Sequence, residues 1–447
     1  MQNELHSRII KKILFIFIII TYILLWSFPA HAESSTPDVY SPSCILMELN
    51  TGKILYSKNA NERMYPASTT KVMTAILTLE NCKLTDVATV SKNAIYSVPY
   101  SYATAYLQEG EQLTIANLLN VLLIPSANDA AFVLAEHVAG SVDEFSNMMN
   151  EKAFEIGCKD THFSNPNGIH AEDHYSTAYD LALIGKYAMQ FQEFRDIVSK
   201  TKCSLPTTNK YDKEDRMFVS TNELIKSSSK YYYEYATGAK TGYTVPAGHC
   251  IIATSKKEDT ELIAVVLNDS ITDEGINTRC VDCKTLFEYG FNNFSYKQLA
   301  STGDVQKNIT ISNATKDTRN LNLLPEQDIF AFVPNDYDLS NVVTNITLNE
   351  DLKPPITEKE VLGSITYIVD GTSYTTNLLA SHSVIEFNFL KTVLELLLVI
   401  VVLILVSLFY KKKNKKKHNR KNNSKKKKHQ NSNKSQYVDL HFYPKYK

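Results

Sequence analysis

A chain of 447 residues, 44% of them hydrophobic, is long enough for two or three domains with a sizeable core. Its formal net charge of −1 hides an asymmetry: residues 411–447 carry 15 Lys/Arg against one acidic residue, while residues 33–410 hold about 17 more acidic than basic side chains. Only the tail is basic enough to invite nucleic acid, and there the charge abuts an apolar run and lacks interleaved aromatics before Tyr437, which argues against that partner.

Arg8, Lys11 and Lys12 precede the apolar run from Ile13 to Phe28, and Ala30-His31-Ala32 offers small residues for a cut before Glu33. Residues 1–32 therefore read as a cleaved export signal, with an uncleaved N-terminal anchor as the alternative. After a Ser/Thr/Pro leader from Glu33 to Pro42, two apolar runs, Cys44 to Leu49 and Ile54 to Ser57, flank Asn50-Thr51-Gly52-Lys53 in a β-hairpin pattern.

Pro66-Ala67-Ser68-Thr69-Thr70-Lys71 then leads into apolar positions 72, 73, 76, 77 and 79, a spacing that predicts a buried helix starting at Ser68. Side chains three apart share a helix face, so the Lys71 amine reaches the Ser68 hydroxyl as a base reaches a nucleophile. The plain alternative is a capping serine followed by a surface lysine, and a single S-x-x-K does not decide between the two.

Thr114 to Leu123 has helical periodicity and stops near Pro125. Ser126-Ala127-Asn128-Asp129 opens the next helix, so a serine and an asparagine two apart sit between two helices. Asn165-Pro166-Asn167-Gly168 is a turn cluster, and Tyr179 to Met189 another helix. Beyond a polar stretch read as loop, Lys240-Thr241-Gly242-Tyr243 precedes two strands, Cys250 to Thr254 and Leu262 to Leu267, and Gly242 leaves room for a ligand against the strand backbone. A helix near Asp282 to Tyr289 is expected to close this region.

Residues 294–385 change character to short β runs with Asn/Ser/Thr-rich turns, including a hairpin turn at Asp370-Gly371, and read as a separate small all-β domain. Val393 to Tyr410 is apolar apart from Glu395 and Ser407 and runs into Lys411 to Lys417, which predicts a membrane span over 389–410 with a cytoplasmic basic tail, 411–447, drawn to anionic lipid. Seven cysteines lie in the exported part, where disulfides are permitted, and an odd number leaves at least one unpaired. The Cys280-x-x-Cys283 spacing lacks a second half for a metal site and is read as structural. The spacings of His137, His170 and His249 match no metal motif, and no metal or organic cofactor is expected.

S-x-x-K at 68–71, S-x-N at 126–128 and K-T-G at 240–242, in that order, resemble the motifs of the penicillin-binding proteins and serine β-lactamases. The blocks around them, with Asn165 to Gly168 and with Val361-Leu362-Gly363 to Gly371 behind, resemble the low-molecular-mass D-alanyl-D-alanine carboxypeptidases over roughly Val39 to Ala380. Two features depart from the family's pattern: a full span where an amphipathic helix is usual, and Asn167 where a histidine is usual.

The resemblance implies an α+β fold: a β-lactamase/transpeptidase-like domain over 33–293, with an antiparallel sheet flanked by helices plus a helical lobe, followed by the small β domain and the anchor. It implies Ser68 as nucleophile, Lys71 as base and Ser126 as proton relay, with Asn128 on a substrate amide. Lys240 and Thr241 would face the substrate carboxylate, Gly242 would admit the substrate, and the N–H groups of Ser68 and Tyr243 would form an oxyanion hole. The plain alternatives are a solvated strand lysine at 240 and a capping serine at 126.

The implied partners are peptidoglycan stem peptides, with β-lactams as covalent inhibitors. Rival readings are a cross-link endopeptidase and an anchored penicillin- or wall-binding protein without turnover. A serine β-lactamase is disfavoured, because His162 to Asn167 contains no glutamate to position water. Arg279 is a second candidate for the carboxylate, which a surface salt bridge would explain equally well.

Overall fold

The computed structural model describes residues 36–432 except position 214, with side chains to residue 424. The expected export signal and the end of the tail lie outside these residues. The chain divides into two compact units: the first comprises the chain up to Lys297 plus Phe332–Asp338, the second Gln298–Ala331 and everything from Leu339 onward.

In the first unit, strands β1 (Ser43–Glu48) and β2 (Ile54–Lys58) form the expected hairpin. Helices α1 (Lys71–Asn81), α2 (Ile115–Leu123), α3 (Asn128–Ala139), α4 (Val142–Ile156) and α5 (Ala178–Ala188) follow. A short hairpin, β3 (Lys202–Leu205) with β4 (Arg216–Val219), precedes β5 (Ala236–Thr244), β6 (Gly248–Lys257), β7 (Thr260–Asp269) and α6 (Thr278–Asn293).

The five-stranded antiparallel sheet has the order β2-β1-β7-β6-β5. Alternation along a strand sends successive side chains to opposite faces. In β7, Ile263, Val265 and Leu267 join the core shared with α1 to α5, while Leu262, Ala264 and Val266 join the one shared with α6. A strand buried on both faces reads as a continuous apolar run, as Leu262 to Leu267 does.

Helix α4 and the β3–β4 hairpin were not assigned from sequence. Helix α4 has the expected ends, with the Ser141 hydroxyl accepting from Glu144 N–H at its start and left-handed Gly157 at its end. Its buried face is thin, Phe145, Ser146, Met149 and Ala153, which weakens the periodic signal. All seven cysteines are free thiols.

The second unit contains a five-stranded sheet of β8 (Lys307–Thr310), β9 (Asn320–Pro325), β10 (Val343–Leu348), β11 (Val361–Val369) and β12 (Thr372–Ala380) in the order β8-β9-β12-β11-β10. Asp370 and Gly371 turn β11 into β12, both at positive φ (48° and 75°), as a tight hairpin turn requires. A long helix, α7 (Phe389–Ser432), ends the described chain, and its part up to Ser424 contains an apolar stretch long enough to cross a membrane, with none of that stretch buried.

Candidate active site

Ser68 sits in a 3-10 turn, Ala67–Thr70, that runs directly into α1. The turn is tight: Thr69 Oγ1 donates to Pro66 O at 2.7 Å, and Ala67 is held at φ 49°, a conformation that L side chains rarely adopt. Lys71, one turn on, is wholly buried. Its Nζ lies 2.8 Å from Ser68 Oγ, 2.8 Å from Asn128 Oδ1 and 2.7 Å from Asn167 O.

Burial lowers the Lys71 pKa well below the ordinary lysine range, and the nearby Lys240 charge adds to the effect. A neutral amine has two hydrogens and one lone pair. The two carbonyl oxygens take the hydrogens, and the lone pair is left for the Ser68 hydroxyl proton.

The second wall comes from the α2–α3 connection. Pro125 ends α2, and Ser126 adopts left-handed φ 70°, placing it on the cleft wall and almost fully buried. Asn128 opens α3, and its N–H and Nδ2 both donate to Ala103 O at 2.9 Å. Asp129 accepts from the N–H groups of Ala105 and Leu107, tying the loop before α2 to the same helix start.

Strand β5 forms the third wall. A Cβ at Gly242 would stand 3.0 Å from Pro66 O and Ser68 N, so glycine lets the strand pass against the Ser68 turn. The Thr241 and Thr221 hydroxyls are 2.5 Å apart. Lys240 is wholly buried and donates to Thr241 O at 2.8 Å, and burial, aided by the Arg279 charge, brings its pKa down to about 7. Tyr243 stacks on His249 with ring centroids 4.5 Å apart. From α6, Arg279 Nη1 donates to Gly242 O at 3.1 Å and Cys250 O at 3.2 Å, and its Nε is buried with no partner in the protein.

These walls enclose a cleft of about 540 Å³. Ser68, Ser126, Asn128, Thr241, Gly242 and Tyr243 line it, while Lys71 and Lys240 stand behind its surface as buried amines. Four contributors were missed or undervalued in the sequence. Arg279 lines the cleft and spends its guanidinium on backbone carbonyls, so a surface salt bridge does not account for it.

Thr221 enters from a stretch read as loop. Asn167 contributes a main-chain oxygen, which no residue pattern announces. His174 is buried, accepts Ser164 N–H at Nδ1 (3.1 Å) and so presents Nε2–H to Thr70 Oγ1 (2.8 Å), and burial lowers its pKa to about 4. The signal available for it was its place in His174-Tyr175-Ser176-Thr177, just before a helix.

The family model for D-alanyl-D-alanine carboxypeptidases matches residues 30–271, more than half of the chain. The chain belongs to the D-alanyl-D-alanine carboxypeptidase family. Behind that match, residues 294–386 fit the C-terminal domain of penicillin-binding protein 5.

Among curated members of the family, the D-alanyl-D-alanine carboxypeptidase DacF of Bacillus subtilis is 31% identical over 338 residues, covering 74% of this chain and 82% of the relative. DacC of Escherichia coli is 31% identical over 359 residues, 78% and 84% of the two chains. Among solved structures, penicillin-binding protein 5 of Haemophilus influenzae aligns with a TM-score of 0.60 at 28% identity, over 79% of this chain and 99% of that one. The Streptomyces K15 DD-transpeptidase aligns with a TM-score of 0.53 at 31% identity, over 58% and 99%. The fold is thus the expected α+β carboxypeptidase fold followed by an all-β domain.

Proposed function

We propose that the protein is a penicillin-sensitive serine D-Ala-D-Ala carboxypeptidase that removes the terminal D-alanine from peptidoglycan pentapeptide stems. The observation that carries this reading is the buried Lys71 amine 2.8 Å from Ser68 Oγ, where burial favours the neutral form that can take a proton.

Ser68 Oγ attacks the carbonyl carbon of the penultimate D-alanine as Lys71 accepts the hydroxyl proton. Charge on the tetrahedral oxygen falls to the Ser68 and Tyr243 N–H groups. The C–N bond breaks, Ser126 passes a proton to the leaving amine, and D-alanine departs. Water then splits the ester by the reverse proton path. Asn128 holds the stem amide, and Gly242 gives it room beside β5.

The departing carboxylate meets Thr241 and Arg279, both on the cleft wall. The buried Lys240 amine adds positive potential when protonated. Fluorescent penicillin is expected to label the protein and not its Ser68→Ala variant. Release of D-alanine from an acyl-D-Ala-D-Ala peptide should far exceed release of D-alaninamide from its amide, and equal rates would replace this reading with an endopeptidase.

The anchor is proposed to be the apolar part of α7, with the catalytic unit facing the wall and Lys411 to Lys428 inside the cell. Protease added to intact protoplasts should remove the catalytic unit and spare an epitope placed after Lys434. Digestion of that epitope would reverse the topology.

A further inference from the structure

Residues 97–108 border the cleft, with Ser101, Tyr102 and Ala103 on its wall. The stretch contains Tyr100, Tyr102 and Tyr106 and no Asp, Glu, Lys, Arg or His, in a body otherwise rich in acidic residues. Tyr100 is fully exposed, Tyr106 is 76% exposed, and Tyr102 is half-buried. Ala105 and Leu107 are buried, and Tyr106 between them is exposed. Four extended residues place Tyr102 and Tyr106 about 13 Å apart at most.

The backbone beneath these rings is fixed. Ala103 O accepts from Asn128, Ala105 and Leu107 donate to Asp129, and buried Arg216 donates to Ala105 O at 3.3 Å and Tyr106 O at 3.2 Å. Arg216 is itself paired with buried Glu111. Tyr106 stands at φ 54°, where a tyrosine is strained, yet its ring gains no burial in return. Solvent-facing rings on a fixed, locally strained backbone beside a ligand cleft are a surface prepared for contact.

We infer that this tyrosine rim is a docking ledge for the glycan of the wall, stacking on the pyranose rings that carry the stem peptide in the cleft. The inference rests on the carboxypeptidase reading for what occupies the cleft. Absence of charge along the rim selects an uncharged partner. The C–H faces of N-acetylated sugars match the negative faces of tyrosine rings, whose hydroxyls reach sugar oxygens. The rim is continuous with the cleft, so a stem peptide seated at Ser68 brings its own sugar toward it.

The test compares D-alanine release by the full chain in detergent micelles from a free pentapeptide and from the same pentapeptide on its N-acetylated disaccharide. The glycan form is expected to have a kcat/KM about tenfold higher, the scale of one or two ring contacts. Combining Tyr100→Ser with Tyr106→Asn, which tolerates positive φ, should bring the ratio near one while free-peptide turnover and penicillin acylation stay unchanged.

A ratio of one in the unaltered protein, or one that survives both substitutions, overturns the inference. If no D-alanine is released and penicillin fails to acylate Ser68, the carboxypeptidase reading has failed. Calorimetric binding of the same two ligands to Ser68→Ala then decides the ledge separately: tighter binding of the glycan form, lost in the rim variants, supports it, and equal binding overturns it.

Discussion

The two units treat polarity in opposite ways. Among the described residues, every buried charged side chain lies in the first unit, with Lys71, Glu111, Arg216, Lys240 and Arg279 around the cleft, whereas the second has Thr376 as its single buried polar residue. Left-handed Ala67 and Ser126 lie at the cleft, while the second unit's sheet closes over an apolar core of Leu321, Leu323, Ile365 and Leu378. Desolvating a charge is unfavourable unless it is used or paired. The first unit therefore gives up stability where it needs shifted pKa values, and the second, with no such chemistry, packs as an ordinary sheet.

The disturbance that reaches furthest through the site is expected at Gly168. Its φ is +83° and a Cβ would stand 1.9 Å from Ala67 O, so Gly168→Ala must push the 165–169 loop off the Ser68 turn and take Asn167 O away from Lys71. Penicillin acylation should fall by about a hundredfold or more, the scale set by a 1 Å misplacement of catalytic groups. Stopped-flow acylation measures it.

Next is Lys71→Met, which fills the same space without a base. Acylation should drop by about 10²–10⁴. Relief of lysine desolvation and the stranding of Asn128 Oδ1 and Asn167 O oppose each other, so Tm should stay within about 4 °C. A large fall in Tm would mean that Lys71 mainly serves the fold.

The third concerns the buried carboxyls Asp269 and Asp282. Burial raises both pKa values, that of Asp282 to about 6, while Asp282 accepts the N–H groups of Tyr40 and Ser41. A raised folded pKa means that the pair supports the fold below pH 4 and loses that support as pH rises through about 6. The Asp269 charge also pushes Asp282 up, and Asp269→Asn replaces that repulsion with an N–H donor. Its Tm should exceed that of the unaltered protein by a few degrees at pH 8, with the gap closing towards pH 4. A gap independent of pH would refute the coupling.

In the second unit, Thr366→Val removes an exposed cross-strand contact to the Thr375 hydroxyl at 2.9 Å, and should change stability by under about 0.5 kcal/mol and leave acylation alone. Denaturant melts measure it, and a larger loss would break the contrast.

What could be read in the sequence follows from the same contrast. The hairpin of β1 and β2, helices α1, α2, α3 and α5 and the central strands announce themselves because their periodicity reports burial. Ser68, Lys71, Ser126, Asn128 and Lys240 to Tyr243 stood out because their chemistry is local in sequence. What stayed hidden acts across sequence: a carbonyl at Asn167, a hydroxyl from Thr221, and Arg279 reaching β5 from a helix. Lys240 was recognised, yet its burial depends on its facing the helical core, on the side of the sheet where its cross-strand partner Ile252 packs, which its own strand does not encode.

The seven free cysteines bear on drug selectivity. Sulfur is intrinsically a better nucleophile than a hydroxyl oxygen, but only as thiolate. Burial pushes Cys44 and Cys158 up to about 12 and Cys203, Cys250 and Cys280 to about 11, and raises Cys82 and Cys283 as well, so at neutral pH each stays protonated and mute. An electrophilic warhead entering the cleft would find the Ser68 oxygen the more reactive atom. Thiol-alkylating agents should leave penicillin labelling intact, and inhibitors tuned to a hard nucleophile should discriminate this enzyme from cysteine-based targets.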